Sequence, residues 1–463
     1  MGGFFGVAGS DSCVADLFYG TDYHSHLGTR RGGMATLDGE QFVRFIHNIE
    51  NAQFRSKFED DIDKLTGDSG IGVISDTEDQ PLIVGSHLGT YAIVTVGKII
   101  NLQELADKAL ETRRTHFSEM SGTELNPTEV VASLINMEES FTAGLKNVQE
   151  SIEGSCSILL LTTGGIYAAR DKLGRTPIAL AEKEGAHAAS FETCAFANLG
   201  YEYIRQLGPG EIVRITADGI EQMAEPGDQM QVCAFLWVYY GYPASSYEEI
   251  NVEHSRYECG RALARRDDTP CDVVAGIPDS GVAHALGYSH ETRVPYMRPF
   301  VKYTPTWPRS FMPQNQKIRD LVARMKLIPI PELIRGKKLM FCEDSIVRGT
   351  QLKDNVQRIF DLGAKEVHMR PACPPLTYGC EFLNFSQSRS ELDLATRRAI
   401  QALEGSHDVN LEEYTNPDSA KYAAMVDWIR NRLGLTSLVF QRLDDLVEAI
   451  GLPKEKLCTY CWD

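Results

Sequence analysis

Apolar positions follow two different rhythms along this chain, and the change comes near its middle. Up to about Met230 they gather in short β-branched or aromatic runs cut by Gly and Asp. The runs Gly70 to Ile74, Leu82 to Val84, Tyr91 to Val96 and Ile158 to Thr162 predict strands. Two stretches, Leu102 to His116 and Pro127 to Met137, repeat apolar residues at three and four, which is the helical period. Strands and helices without regular alternation predict an α+β domain with sheets packed between helices.

The second half alternates strand, glycine turn and helix at parallel-sheet spacing. Asp272 to Gly276 reads as a strand, Pro278 to Gly281 as a turn and Val282 to Glu291 as a helix. Lys338 to Cys342 is the next strand, Glu343 to Gly349 a loop, and Thr350 to Leu362 a helix with Leu352, Val356, Ile359 and Phe360 on one face. Gly363 stops that helix before a strand from Val367 to Arg370, which makes a βαβ unit, right-handed by default. Ser386 to Tyr422 turns polar and helical, and the chain ends in a helix, Leu443 to Ile450, and the tail GLPKEKLCTYCWD.

A length of 463 residues exceeds one ordinary core, so the rhythm change marks a domain boundary. The division expected is 1–230, 231–385 and a carboxyl-terminal segment 386–463. A net charge of -18, from 64 acids against 46 bases with no basic cluster, argues against nucleic-acid or anionic-membrane binding. The best apolar run, Ser157 to Ala169, is interrupted by Thr162, Thr163 and Gly164, so no membrane span is expected. The start MGGFFGVAG lacks a basic region, and Gly6 stands where a myristoylation signal wants Ser or Thr. A cytoplasmic protein is expected, in which the 11 cysteines serve as thiols and metal ligands rather than disulfides.

The segment LMFCEDSIVRGT carries the most chemistry. Glu343 and Asp344 leave the carboxyl end of a buried strand, and Ser345 to Thr350 lead into a helix amino terminus. Free backbone amides there, with the helix dipole, cradle an anion, and Gly349 permits close approach of the backbone. Two acids beside such a cradle suit a sugar with vicinal hydroxyls and a metal that wants oxygen ligands. The combination points to a ribose 5-phosphate carrying a second anionic group.

EDSIVRGT resembles the 5-phosphoribosyl 1-pyrophosphate (PRPP) signature of type I phosphoribosyltransferases. IPDSGVAHALGYS, RSFMP, MKLIP and AKEVHMRPACPP, with YAARDKLGRTP and FETCAF earlier, resemble segments of glutamine phosphoribosylpyrophosphate amidotransferases over nearly the whole chain. An insertion near 393–425 departs from that family. The resemblance implies an amino-terminal-nucleophile-hydrolase-like domain, four layers αββα, followed by an α/β type I phosphoribosyltransferase domain. It implies that Glu343 and Asp344 hold the ribose hydroxyls and magnesium, with Ser280 as a further metal ligand. Ser345, Ile346, Val347, Arg348, Gly349 and Thr350 would hold the 5-phosphate, and Asp279, Ser280 and Gly281 the pyrophosphate. Lys302, Arg309 and Lys326 match bases of the family's mobile loop, although Tyr303, Thr304 and Pro305 replace its Asn-Arg-Tyr.

The family's front domain is a glutaminase that begins with a cysteine nucleophile whose own amine is the base. Here the matching stretch is Gly2, Gly3, Phe4, Phe5, Gly6, Val7, so Gly2 occupies the nucleophile position. Cleavage before Cys13 would expose a thiol, but Val14-Ala15-Asp16 lacks the family's following glycine and the strand Phe4 to Val7 would be lost. The glutamine-binding Arg corresponds to Ser75, the oxyanion-hole Asn to Val96 beside a retained Gly97, and the acid that grips the substrate amine to Pro127. Glutaminase activity is expected to be absent, with ammonia, free or from a partner glutaminase, as the second substrate beside PRPP. The alternative is a silent paralogue that binds PRPP or nucleotides and regulates an active enzyme.

One subgroup of the family carries a 4Fe-4S cluster, and its four ligand positions are filled here by Cys233, Cys380, Cys458 and Cys461. The spacing of Cys458 and Cys461 alone would serve zinc as well. Cys13, Cys156, Cys194, Cys259, Cys271, Cys342 and Cys373 read as small buried hydrophobes. The family also implies purine nucleotide effectors and a homo-oligomer.

Overall fold

The computed structural model describes the chain apart from residues 1, 112–116, 118–119, 122–123, 304–326 and 384–389, and apart from the side chains of 120, 121, 124, 350 and 351. Two antiparallel sheets build the first half. The larger has seven strands in the order Glu202–Gln206, Ala179–Lys183, Ala186–Ser190, Gly3–Gly9, Ser69–Ser75, Arg31–Asp38 and Gln41–Asn48. The second has six, in the order Gly219–Ala224, Ile212–Thr216, Gly165–Ala169, Gly154–Thr162, Gly89–Ile99 and Leu82–Ser86.

Strand alternation explains why four layers result. In the strand Gly3–Gly9, Phe4 and Ala8 enter the core between the sheets, whereas Phe5 and Val7 enter the core under helix Val14–Asp22. In Gly154–Thr162, Leu159 and Leu161 face the first sheet, while Ile158 and Leu160 face helices Leu102–Glu111, Pro127–Ile135 and Phe141–Ser151. Both faces of each central strand are therefore dry, which is why these segments read as continuous apolar runs rather than as alternation. The order helix, sheet, sheet, helix is the αββα architecture expected.

The second half is an α/β domain around a parallel sheet ordered Val273–Gly276, Lys338–Glu343, Glu366–Pro371 and Ser437–Leu438. The expected elements stand within a residue or two of their places: helix Gly281–Thr292, strand Lys338–Glu343, helix Thr350–Asp361 and helix Leu443–Ile450. The segment 386–463 shares the core of the preceding domain. Its strand Ser437–Leu438 extends the parallel sheet, and helices Ala395–Glu404 and Ala420–Leu433 bury Ala399, Ile400, Met425 and Ile429 against Leu339, Phe341 and Val367. The extreme tail returns to the domain junction, where Leu457 and Cys458 pair in parallel with Val232 and Cys233. Among the described residues no helix is long and apolar enough to cross a membrane.

Candidate functional site

Glu343 ends the central parallel strand and Asp344 follows it into the loop, where strand ends of open α/β sheets place ligands. Asp344 is buried and accepts hydrogen bonds from the hydroxyls of Ser280 and Ser345, the latter at 2.6 Å, while its amide donates to Glu343 Oε1 at 3.1 Å. Burial, and then the neighbouring Asp344 charge, pushes the Glu343 carboxyl well above its ordinary range. A divalent cation beside the pair would favour its charged form. Arg256 is buried behind Asp344, its guanidinium donating to the Trp237 and Gly241 carbonyls at 2.9 Å each. No local pattern marked it, since it lies on a helix of the junction.

Close backbone approach brings the loops together. A Cβ on Gly281 would lie 2.4 Å from the Cys342 carbonyl oxygen, so only glycine lets helix Gly281–Thr292 start against the acidic strand. Gly349 has φ +70 and opens helix Thr350–Asp361 with no side-chain cap, which leaves its first amides free for an anion. Ile346 is buried, and the Val347 carbonyl accepts from the Ala395 amide at 2.7 Å, so the cradle is held from behind by the insertion. Lys302 reaches Asp279, which joins strand Phe300–Lys302 to the loop before helix Gly281–Thr292. Arg348 pairs with Asp393 at 3.1 Å. Arg309, Lys326 and the Thr350 side chain lie outside the described residues.

The front domain offers a different picture. Gly2 is buried against the neighbouring strand, and a Cβ there would lie 2.2 Å from the Ile74 carbonyl oxygen. Cys13 is buried at the foot of helix Val14–Asp22, and burial, then the Asp68 charge, pushes its thiol up to about 12. It is a protonated core residue. Val96 is buried between the sheets, Gly97 holds φ +150, and Pro127 starts helix Pro127–Ile135 behind the Asn126 cap.

Between these positions stands a residue the sequence did not single out. Glu78 accepts from Gln80 Nε2 at 2.6 Å, from Thr128 at 3.4 Å and from Thr77. Thr77 also bonds Ser75, and Thr128 bonds Thr95 at 2.7 Å. One carboxyl thus ties together the neighbours of Ser75, Val96 and Pro127. Burial pushes Glu78 above its ordinary range despite the hydrogen bond from Thr77. A group raised on folding adds no penalty below its unfolded value and costs stability as pH climbs through the folded value. Glu78→Gln should therefore melt higher than the parent at pH 8 by about 2–5 °C, with the gap shrinking at pH 5; equal gaps at both pH values would refute the buried proton.

The four cysteines named for a cluster meet at the junction. Cys233 and Cys458 are register partners, Cys461 and Cys380 share a hydrogen bond, Cys233 feels the charge of Cys458 and Cys380, and Cys461 feels that of Cys380, Cys233 and Cys458. Burial, then Cys458 and Cys380, raises Cys233; the bond to Cys380, then burial, raises Cys461. Arg175 stands beside Cys458 with its guanidinium 3.9 Å from the Phe382 ring centroid. Among the described residues no three His, Cys, Asp or Glu side chains close around a single metal ion. Of the other seven cysteines, Cys13, Cys156, Cys259, Cys342 and Cys373 are buried, and Cys194 and Cys271 are half-buried.

Fold and site together define a two-module protein, an amidotransferase-type sandwich joined to a phosphoribosyltransferase-type sheet. Residues 69–197 match a family model described as a glutamine amidotransferase domain. The amidophosphoribosyltransferase of Methanothermobacter thermautotrophicus is 30% identical over all of this chain and 93% of its own length. That of Bacillus subtilis is 28% identical over 97% of this chain and 89% of its own. A solved structure described as the allosteric regulatory enzyme of purine biosynthesis superposes with a TM-score of 0.85 at 26% identity, covering 99% of this chain and 95% of the other. The Bacillus subtilis glutamine PRPP amidotransferase complexed with ADP and GMP gives 0.82 at 26% identity over 99% and 96%. The chain belongs to the amidophosphoribosyltransferase family.

Proposed function

We propose that this chain makes 5-phosphoribosylamine from PRPP and ammonia in purine nucleotide biosynthesis, as a glycosyltransferase without glutamine hydrolysis of its own. The observation that carries the reading is the contrast between its two sites. One keeps an acidic pair at a strand end, a glycine-opened helix and a base on Asp279. The other has glycine where a thiol should attack, and a carboxyl, Glu78, beside the positions that would receive the glutamine carboxylate. Without thiol, oxyanion donor and substrate clamps, covalent catalysis and recognition fail together.

Glu343 and Asp344 would accept the ribose hydroxyls, the amides from Ser345 to Gly349 would hold the 5-phosphate, and Asp279 with Ser280 would face the pyrophosphate. Magnesium suits this oxygen-rich donor set and supplies neutralisation of the departing pyrophosphate. Lys302, paired with Asp279, would stand beside that group. Positioning and charge neutralisation then supply most of the rate, because ammonia needs no activation beyond being neutral and close. Cys233, Cys380, Cys458 and Cys461 would supply the four thiolates of a 4Fe-4S cluster.

Pyrophosphate release decides the reading. With PRPP, magnesium and ammonium chloride the chain should turn over, and with glutamine at equal concentration it should not. Turnover on glutamine would overturn the proposal. Silence with both, alongside measurable PRPP binding, would make the chain a regulatory paralogue instead.

A further inference from the structure

The loop that opens helix Thr350–Asp361 is gripped from one side by a single short segment, Asp393 to Arg398. The Ala395 amide donates to the Val347 carbonyl at 2.7 Å, the Arg398 guanidinium donates Nη2 to the Arg348 carbonyl, and Asp393 pairs with the Arg348 side chain at 3.1 Å. Two consecutive peptide carbonyls are thus held by donors from the first turn of one helix, Ala395–Glu404. That turn is itself fixed. Ser390 caps the residues Glu391–Asp393 before it, and the buried Arg397 donates to the Thr377 carbonyl at 2.7 Å and to the His407 carbonyl at 3.1 Å.

We propose that Arg398, together with the Ala395 amide, is a positioning residue that aims the backbone amides of this loop at the 5-phosphate of the sugar, on the reading above that the loop is the PRPP cradle. A trans peptide is planar, with its N–H directed opposite to its C=O. Cis bonds among the described residues are confined to Gln80-Pro81 and Pro278-Asp279, so both peptides here are trans. Holding the Val347 carbonyl toward Ala395 turns the Arg348 N–H to the other side, and holding the Arg348 carbonyl toward Arg398 does the same for the Gly349 N–H. Gly349 is where the aim most needs a hold, because a glycine at φ +70 has other wells open to it at little cost. Amides set in place before the ligand arrives bind it better than amides that must be ordered at that moment.

Arg398 has the surroundings of a side chain fixed by the loop rather than by its own satisfaction. Its Nε is buried with no partner among the described residues. Burial, and then the charge of Arg432, lowers the guanidinium, with Asp393 opposing and Arg348 adding to the shift. Arg432 is stacked over the Trp428 ring at 5.2 Å, so it does not turn aside. A cation that served only to cover apolar surface would swing away from two like charges into water. This one stays on a peptide carbonyl.

Titration calorimetry on the full chain with ribose 5-phosphate, with PRPP and magnesium, and with magnesium pyrophosphate tests the aim. Arg398→Ala should weaken both sugar phosphates by about tenfold and leave magnesium pyrophosphate within about twofold of the parent, because pyrophosphate does not use these amides. Arg398→Lys keeps a donor for the carbonyl and should recover most of the loss. Ala395→Pro deletes the other donor at the first helical position, where proline is tolerated and the preceding Leu394 is already extended. It should show the same selective loss, with a melting midpoint within about 3 °C of the parent. Sugar-phosphate affinity within about twofold of the parent in both Arg398→Ala and Ala395→Pro would overturn the proposal. So would an equal loss of sugar phosphate and pyrophosphate accompanied by a fall in melting, which is the behaviour of a merely structural contact. PRPP affinity unchanged in Asp344→Ala but weakened in Arg398→Ala would keep the positioning role and count against the acidic pair alone. No binding of either sugar phosphate by the parent would sink the positioning role and the PRPP reading together.

Discussion

Asp344→Ala is expected to abolish magnesium-dependent PRPP binding, and with it pyrophosphate release on ammonium. The carboxylate is the hub of its loop, accepting from Ser280 and Ser345 while its own amide holds Glu343. On the proposed reading its removal would delete an acceptor for the ribose and one arm of the metal's donor set, and it frees two hydroxyls, those of Ser280 and Ser345. Charge-assisted hydrogen bonds contribute about 1.5–3 kcal/mol each, so losing two with a metal ligand should weaken binding by on the order of a thousandfold. Equilibrium dialysis with labelled PRPP, with and without magnesium, gives the number. Asp344→Asn separates charge from shape: it should fail nearly as badly, because an amide cannot replace an anionic metal ligand. PRPP affinity within about twofold of the parent in both variants would mean the pentose binds elsewhere.

The strand, loop and helix that carry Asp344 were legible because everything they need is local. Strand, acids, glycine and helix follow one another within LMFCEDSIVRGT, and the boundaries came out within a residue. The strand Ser437–Leu438 was not legible, since two residues show no period and it exists through pairing with His368 and Met369. Glu78 was missed for a related reason. It follows a strand in an acid-rich turn that reads as solvated, and only the fold sets it against Thr128. Arg256, Arg398 and Arg432 likewise acquire meaning from neighbours far away in sequence. The cysteines show the intermediate case: spacing identified Cys458 with Cys461, but only the return of the tail beside Val232 puts Cys233 next to them. The glycine at the expected nucleophile position was legible from sequence, and the packing of Gly2 against Ile74 adds what no motif states, that a side chain there meets backbone.

Cys458→Ser is expected to strip the chain of iron and of much of its thermal stability. Cys458 sits where the tail pairs with the domain junction, register partner to Cys233, and the Cys461 carbonyl three residues on accepts from the Thr377 and Tyr378 amides at 2.9 and 3.2 Å. Around it, Trp462 stacks on Phe235 at 5.2 Å and the tail shares one core with the inter-sheet residues of the front domain. Cys233, Cys458 and Cys461, raised by burial and by neighbouring thiols, must lose protons when metal arrives, so cluster binding would be coupled both to pH and to the folding of this junction. Anaerobically purified parent protein should be brown with about four irons per chain. The serine variant should be colourless, and its melting midpoint should fall by on the order of 10 °C, the loss of several kcal/mol in a chain this size. Serine is close in volume to cysteine, so packing alone would shift the midpoint by only about a quarter of that. A colourless parent holding one zinc would assign the thiols to a different metal, and a brown variant that melts with the parent would remove the cluster from the junction.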